Sequence, residues 1–354
     1  MLLRGIDSLE FGLEIDRYEL AMEPFLETFK KLKEEAQMNR KEQSIRIGDI
    51  EFAIHPTGQK FYAYRLTCKD FLIAFMDKEM PNNAPVHVRF LSSYLWSFGL
   101  QDALSNFMDW FNCFSVRVTK NKLSRIDTCV DSDEIKFVQN DVKNLVTRAK
   151  CKTEHFVNEE YIEGRVFSGL TVGRGNPLLA RIYNKSLEIN KSGKVWFHQI
   201  WLDHDWDKNN EVWRVEFQIR RPALKELGIT SCEDFLQKQN ELWSYLTENW
   251  LSLRSRTDQN VTRMKVKRKW RLVQQAGMDY QPSPLIRKKI KEGNIQRLLD
   301  QAAGLMMSIA SVSDHNNIEE TTELLNSWFE LKLISKDKTF EVEKERRRHE
   351  FMNK

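Results

Sequence analysis

Trp213-Arg214-Val215-Glu216-Phe217-Gln218-Ile219-Arg220-Arg221 alternates polar and apolar side chains along its length. Successive side chains of a strand point to opposite faces. Arg214, Glu216, Gln218 and Arg220 therefore share one face, and Val215, Phe217 and Ile219 the other. Cross-strand ion pairs on a solvated face read this way. A single carboxylate between arginines also suits a site in which Glu216 holds a metal and Arg214 holds a neighbouring acid or a phosphate. Upstream, Arg125-Ile126-Asp127-Thr128-Cys129-Val130-Asp131 follows the same grammar, with Asp127, Cys129 and Asp131 on one side. It reads either as an exposed strand ending in the turn Asp131-Ser132-Asp133 or as a site for Mg²⁺ or Mn²⁺, which take oxygen ligands.

Between these two segments lies Arg181-Ile182-Tyr183-Asn184-Lys185, with Glu188 beyond it and the apolar Leu178-Leu179-Ala180 before it. Alternation places Arg181 and Lys185 on the face of Tyr183. A lone strand tyrosine is ordinarily a packing residue. Two adjacent cations favour its phenolate, which lowers the expected pKa, and they neutralise a phosphate placed for attack. Glu188 is placed to orient one of those cations.

Strand-like segments dominate the first two thirds: Ser44–His55, Lys60–Thr67, Phe71–Met76 and Val86–Leu91, all rich in Ile, Val, Phe and Tyr. Helical spacing follows over Ser92–Phe111. Strands resume at Phe114–Thr119 and Leu123–Val130, with a helix near Asp141–Ala149. A strand-turn-strand unit runs from Tyr161 to Tyr183, turning at Gly173-Arg174-Gly175-Asn176-Pro177. Val195–Trp201 and Val212–Ile219 read as an antiparallel pair joined by the loop Asp203–Asn210. From Cys232 the pattern is helical: Cys232–Leu253, Pro284–Ala310 and Glu319–Phe351, with Pro282 and Pro284 marking a boundary. In the first of these helices the Trp and Leu stripe reads as core. The expected fold class is α+β, a mostly antiparallel sheet flanked by helices with a helical C-terminal extension. Three parts are expected: 1–112, 113–253 and 254–354. The first two look alike. Ile6-Asp7-Ser8 matches Ile126-Asp127-Thr128, Ala63-Tyr64-Arg65 matches Ala180-Arg181-Ile182-Tyr183, and Val88-Arg89-Phe90 matches Val215-Glu216-Phe217. Duplicated halves would share one continuous sheet. Glu216 aligns with Arg89, which makes the second half the chemical one and the first a partner that shapes the groove.

The chain has 354 residues and a net charge of only +4. Its distribution says more: residues 254–291 carry twelve Lys and Arg against Asp258 and Asp279. At their centre is Lys265-Val266-Lys267-Arg268-Lys269-Trp270-Arg271, a basic run around an aromatic that suits a phosphate backbone, or else a solvated linker or helix face. The five cysteines are scattered and form no CxxC pair, so neither a zinc site nor a disulfide framework is indicated, and a reducing cytoplasm is expected. No run reaches the roughly 18 apolar residues of a membrane span. The start turns acidic too soon for a signal peptide.

A nucleophile, cations for a phosphate and acids for a divalent metal are the parts needed to break a DNA strand through a phosphotyrosine. Arg125-Ile126-Asp127 with Asp131, Arg181-Ile182-Tyr183-Asn184-Lys185 with Glu188, and Trp213-Arg214-Val215-Glu216 with Arg220 together resemble the replication initiation factor family. That family includes the Rep_trans-type rolling-circle plasmid initiators, their phage-encoded relatives and related relaxases of conjugative elements. The resemblance covers roughly residues 110–225 well and extends loosely to 1–110. It implies a metal-dependent nicking-closing enzyme whose tyrosine maps onto Tyr183 and whose acids map onto Asp127 and Glu216, with Asp131 as a further ligand candidate. The tyrosine would become linked to a 5′-phosphate and leave a 3′-OH that primes synthesis. Other initiators carry metal on a His-hydrophobic-His pair, and no two histidines here fall two apart.

The leading expectation is a rolling-circle initiator. A conjugative relaxase of the same family, a DNA-binding protein without catalysis and a water-using metal nuclease are the alternatives. Arg181 and Lys185 would steady charge around Tyr183. Arg214, Arg220, Lys265, Lys267, Arg268, Lys269 and Arg271 would hold origin DNA. No phosphate-cradling G-x-x-x-x-G-K-[ST] loop is present, so a separate helicase partner is expected. The charged helix after Glu319 allows a homodimer.

Overall fold

The computed structural model describes residues 1–158, 165–277, 285, 287 and 295–353. The chain opens with β1 (Leu2–Ile15) and α1 (Tyr18–Asn39), then runs through β2 (Gln43–Ile47), β3 (Ile50–Ile54), β4 (Tyr64–Thr67), β5 (Phe71–Phe75) and β6 (Val86–Phe90) to α2 (Ser92–Phe111). A second stretch follows: β7 (Val118–Ser132), α3 (Asp141–Asn144), β8 (Leu145–Thr147), β9 (Lys152–Asn158), β10 (Arg165–Gly173), β11 (Leu178–Asn184), α4 (Lys185–Ser192), α5 (Phe197–Leu202) and β12 (Trp213–Arg220). Next come α6 (Arg221–Glu226), α7 (Cys232–Ser244), β13 (Leu251–Leu253) and α8 (Arg268–Gln275), and then α9 (Ile295–Ser313), α10 (Ile318–Ile334) and α11 (Phe340–Asn353).

Eleven strands form one sheet in the order β2-β3-β4-β5-β6-β1-β7-β12-β11-β10-β9, all neighbours antiparallel. The fold is α+β, as its pattern implies. Around the central β1–β7 pair the order is mirrored. In each stretch the opening strand lies at the centre, and the closing strand, β6 or β12, returns beside it.

Alternation gives the sheet two unlike faces. Leu9 pairs with Phe90 and Ile126, and Ile126 with Ile219, so apolar side chains line up across four strands. Helices cover this face: Phe11 meets Phe107 of α2, Phe75 meets Phe29 of α1, and Phe217 meets Trp243 of α7. On the other face Glu10 pairs with Arg89 and Arg125, Arg181 with Glu216, and Arg214 with Asp131. A band of charge thus runs across the middle of the sheet.

Several elements differ from expectation. Val195–Trp201 is not a strand paired with β12. It contains α5, because Phe197 and Trp201, one helical turn apart, are both fully buried with Ile189 and Val212. β12 pairs with β7 and β11 instead. The expected helix at Asp141–Ala149 ends at Asn144 and continues as β8, and Cys232–Leu253 passes from α7 through a widened turn into β13, which pairs with β8. Glu319–Phe351 is split into α10 and α11. The Pro282/Pro284 boundary lies outside the described residues. β1 and α1 were given no element by the sequence pattern, although Met22, Leu26 and Phe29 are buried at helical spacing.

Residues Met1–Lys288 form one compact unit and Lys289–Lys354 a second. The second unit begins inside the expected third part, 254–354. Within the first unit Trp270 is fully buried and donates its indole N–H to the Thr247 carbonyl at 2.8 Å. Among the described residues no helix is long and apolar enough to cross a membrane.

Candidate active site in the charged face of the sheet

Tyr183 lies on β11 opposite Arg214 of β12 and Gly169 of β10. A Cβ at Gly169 would sit 2.4 Å from the Ile182 carbonyl oxygen and 2.8 Å from Tyr183 Cα, and its φ is +155°. Only glycine lets β10 approach the tyrosine strand this closely. The Tyr183 hydroxyl donates to Glu216 Oε2 at 3.0 Å. Glu216 Oε1 accepts from Arg181 Nη2 at 2.6 Å, and the same nitrogen lies 3.6 Å from Asp127 Oδ2. Asp127 is held from its other side by Arg125, whose Nε and Nη2 donate to it at 2.8 and 2.6 Å. Arg125 also reaches Glu10 at 3.1 Å. The residues expected on three separate strands thus meet at one place.

A cleft of about 410 Å³ opens over them. Tyr183, Arg181, Asp127 and Glu216 line it from the second stretch, and Ser8 and Arg89 from the first. The Ser8 Oγ and Arg181 Nε are buried without a hydrogen-bond partner among the described residues. Lys185 is buried at the start of α4 and ion-paired to Glu188, the partner that the sequence suggested.

The electrostatics correct one expectation. Burial first, and then the neighbouring Glu216 carboxylate, raise the Tyr183 phenol well above its ordinary pKa, outweighing Arg214. The cations beside it do not lower it in the free protein. Burial also raises Asp127, against the two bonds from Arg125, and raises Glu216, against Arg181. Lys185 is lowered by burial and by Arg214.

Asp131 and Arg214 are not where their expected roles need them. Both side chains are fully buried. Arg214 Nε and Nη2 donate to Asp131 Oδ1 and Oδ2 at 2.5 and 2.7 Å, and Trp201 Nε1 adds a third bond to Oδ2 at 3.0 Å. Asp131 has no open position for a metal, and Arg214 none for DNA. Arg214 instead links the layers: its Nη1 donates to Asp7 Oδ1 at 2.6 Å, and its guanidinium lies over Phe197 and Trp96, 4.7 and 5.4 Å from their ring centres. Asp7 is the residue that sequence reasoning missed as part of the site, although Ile6-Asp7 had been matched to Ile126-Asp127. Burial would raise Asp7, but Arg214, then Lys185 and Lys194, hold it well below the usual carboxylate range.

Among the described residues no group of three or more His, Cys, Asp or Glu is gathered to hold a metal. Asp127 and Glu216 do converge on one cationic atom, Arg181 Nη2. Two carboxylates around a positive charge are a donor set that Mg²⁺ or Mn²⁺ accepts when water and substrate phosphate complete it. Asp127 and Glu216 are the donors that would hold such an ion in the place Arg181 occupies here; Asp131, bonded to Arg214 and Trp201, is not one of them.

The basic segment is likewise divided. Lys267 and Lys269 are tied to Asp141 at 3.2 and 2.5 Å, and Trp270 is core rather than a stacking surface. Arg220, Lys265, Arg268 and Arg271 are exposed.

A scan of protein-family profiles finds no match, and neither does a search of curated proteins. Among solved structures the chain is similar to the rolling circle replication initiator protein from Geobacillus stearothermophilus, with 16% identity over 81% of this chain and 100% of that one and a TM-score of 0.47.

Proposed function

We propose that this chain is a DNA strand transferase that starts rolling-circle replication by nicking one origin strand. The observation that carries the reading is the tyrosine hydroxyl held on Glu216 beside Arg181, in a cleft whose buried donors, Arg181 Nε and Ser8 Oγ, have no partner of their own. Orphaned donors next to a nucleophile suit a phosphodiester, whose oxygens would satisfy them.

In this reading a phosphate entering the cleft draws Arg181 off the two carboxylates. Asp127 and Glu216 would then hold Mg²⁺ or Mn²⁺, which supplies positive charge for the scissile phosphate. Tyr183 Oη bonds to phosphorus as its phenolic proton passes to Glu216 Oε2. The P–O3′ bond breaks, the leaving oxygen takes a proton from water, and the products are a 5′-phosphotyrosine and a free 3′-OH. Arg181 and Lys185 steady the phosphate's charge.

Arg220, Lys265, Arg268 and Arg271 would track the backbone of origin DNA. A separate helicase, a homodimer and the duplication of 1–112 as 113–253 belong to the same proposal, as does a cytoplasmic setting. A conjugative relaxase would use the same chemistry. A second reading, DNA binding without catalysis, draws support from the closed network, in which every carboxylate of the site already has a partner.

The test uses supercoiled DNA of the source replicon with Mn²⁺, Mg²⁺ or EDTA. Metal-dependent relaxation with protein attached to a 5′ end, lost in Tyr183→Phe, is the expected result. Nicking without an adduct and unchanged by the substitution would indicate water as the nucleophile. Binding with neither would favour the non-catalytic reading.

A further inference from the structure

Trp196 lines the same cleft as Tyr183 and Arg181, next to Lys194. It lies just past the end of α4, where Gly193 (φ +70°) reverses the chain toward the cleft. Its indole is stacked on Phe197, ring centres 4.0 Å apart and planes 22° from parallel. Phe197 is fully buried and fixed by two cations, Lys185 Nζ at 4.6 Å and Arg214 at 4.7 Å from its ring centre. The half-buried indole therefore rests on a rigid base, and the face left for a ligand is the one away from Phe197. Within the cleft Trp196 sits among charged side chains, Arg181, Lys185, Glu188 and Lys194, so a flat ring and cations for a phosphate line one space. Lys194 is near enough to Asp7 to help depress its carboxyl.

We infer that Trp196 and Lys194 form a nucleotide subsite: Trp196 stacks on the base flanking the phosphate that Tyr183 attacks, and Lys194 pairs with that nucleotide's own phosphate. Such a subsite takes unpaired strands, because only an unstacked base offers its face. The arrangement is sequence-tolerant, since every base has a π-face. It fits a nicking enzyme that opens its target locally before cutting. This deepens the proposed function and rests on it for the identity of the attacked phosphate.

The test separates base from backbone. Full-length protein in EDTA is titrated with an oligothymidylate of about 16 nucleotides, and with an abasic strand of equal length, by fluorescence anisotropy. Trp196→Leu should weaken the oligothymidylate about ten-fold and leave the abasic strand unchanged, and Trp196→Phe should recover most of the loss. Lys194→Ala should weaken both strands alike. Equal loss on both strands in Trp196→Leu would assign Trp196 to packing around Phe197 and overturn the subsite. So would no loss, or no binding of oligothymidylate by the wild type. Adduct formation by Tyr183 is read in a separate experiment, so a subsite without a nucleophile and a nucleophile without a subsite give different results.

Discussion

Both flanks of the sheet pack rings on their apolar face, but among the described residues only the second also buries a network of charges on the opposite one. On the first, rings do the filling: Phe71 lies 5.1 Å from both Phe107 and Trp110 and 6.1 Å from Phe90, centre to centre. On the second, Arg214 and Asp131 are buried as a pair, with Asp7 and Trp201 completing the network. Losing one ring leaves a cavity whose cost depends on how far its neighbours relax. Losing one charge leaves its partner buried and unpaired, a discrete failure. The aromatic flank can thus vary gradually, whereas the charged flank works as a whole or not at all.

The sharpest way to break this comparison is Tyr183→Phe. On the proposed mechanism this removes the nucleophile and costs several orders of magnitude in rate, on the order of 10⁴-fold or more. Only one hydrogen bond is lost, that to the Glu216 carboxylate, so urea unfolding should move by no more than about 3 kcal/mol. A large stability loss would mean that the phenol is part of the structural network.

Next in size are one substitution from each flank. Arg214→Ala should destabilise by about 3–5 kcal/mol, while the double variant Arg214→Met with Asp131→Leu should recover part of that loss, Asp7 still lacking its cation and Trp201 its acceptor. Phe71→Ala should also cost about 3–5 kcal/mol, but no second substitution of charge can rescue it. Both are read from urea midpoints. Equal instability of the single and double Arg214 variants would dissolve the distinction between the flanks.

Gly169→Ala probes the seam between β10 and the nucleophile. The new methyl meets backbone at Ile182 and Tyr183, so the strand must shift. A displacement of about 1 Å can cost on the order of 100-fold in rate. Adduct yield should fall by that order, with a stability loss of about 1–3 kcal/mol.

The smallest effect is in acid. Asp7 is held low, so its share of stability is present above its unfolded pKa of about 4 and disappears as pH falls through the lower folded value. Asp127 and Glu216 are raised and have the opposite sign: they favour folding at lower pH and lose that contribution as pH rises through their folded values. Asp7→Asn should flatten the acid limb of stability against pH below about 4. An unchanged limb would show that other carboxylates set it.

Much of the site was readable because strand alternation is local. Spacing gave the face of Asp127, Tyr183 and Glu216 within each strand and the antiparallel class; the family resemblance grouped the three, and register brings them to one face. What failed depended on partners far along the chain. Asp131 and Arg214 looked available until register set them opposite each other and α5 closed over them with Trp201. α5 itself was misread because Val195–Trp201 is a short apolar run that suits strand or helix, and the four-residue spacing of Phe197 and Trp201 was the signal. Trp270 looked like part of a DNA surface, yet Val273 and Ala276, three and six residues on, are buried with it. Helical spacing across that basic run would have shown a core-facing stripe.

The bond between Asp7 and Arg214 joins residues 207 positions apart. β1, made before the other strands of the sheet, sits in its middle, and its neighbour β7 ends only at Ser132. Contacts this distant form slowly, because a long loop must close before they are rewarded. During synthesis the ribosome would release the first stretch before Tyr183 or Glu216 exists as chain. A truncated product would carry β1 without its partner β7 and without Tyr183 or Glu216, so the charged cleft would be complete only once β12 is made.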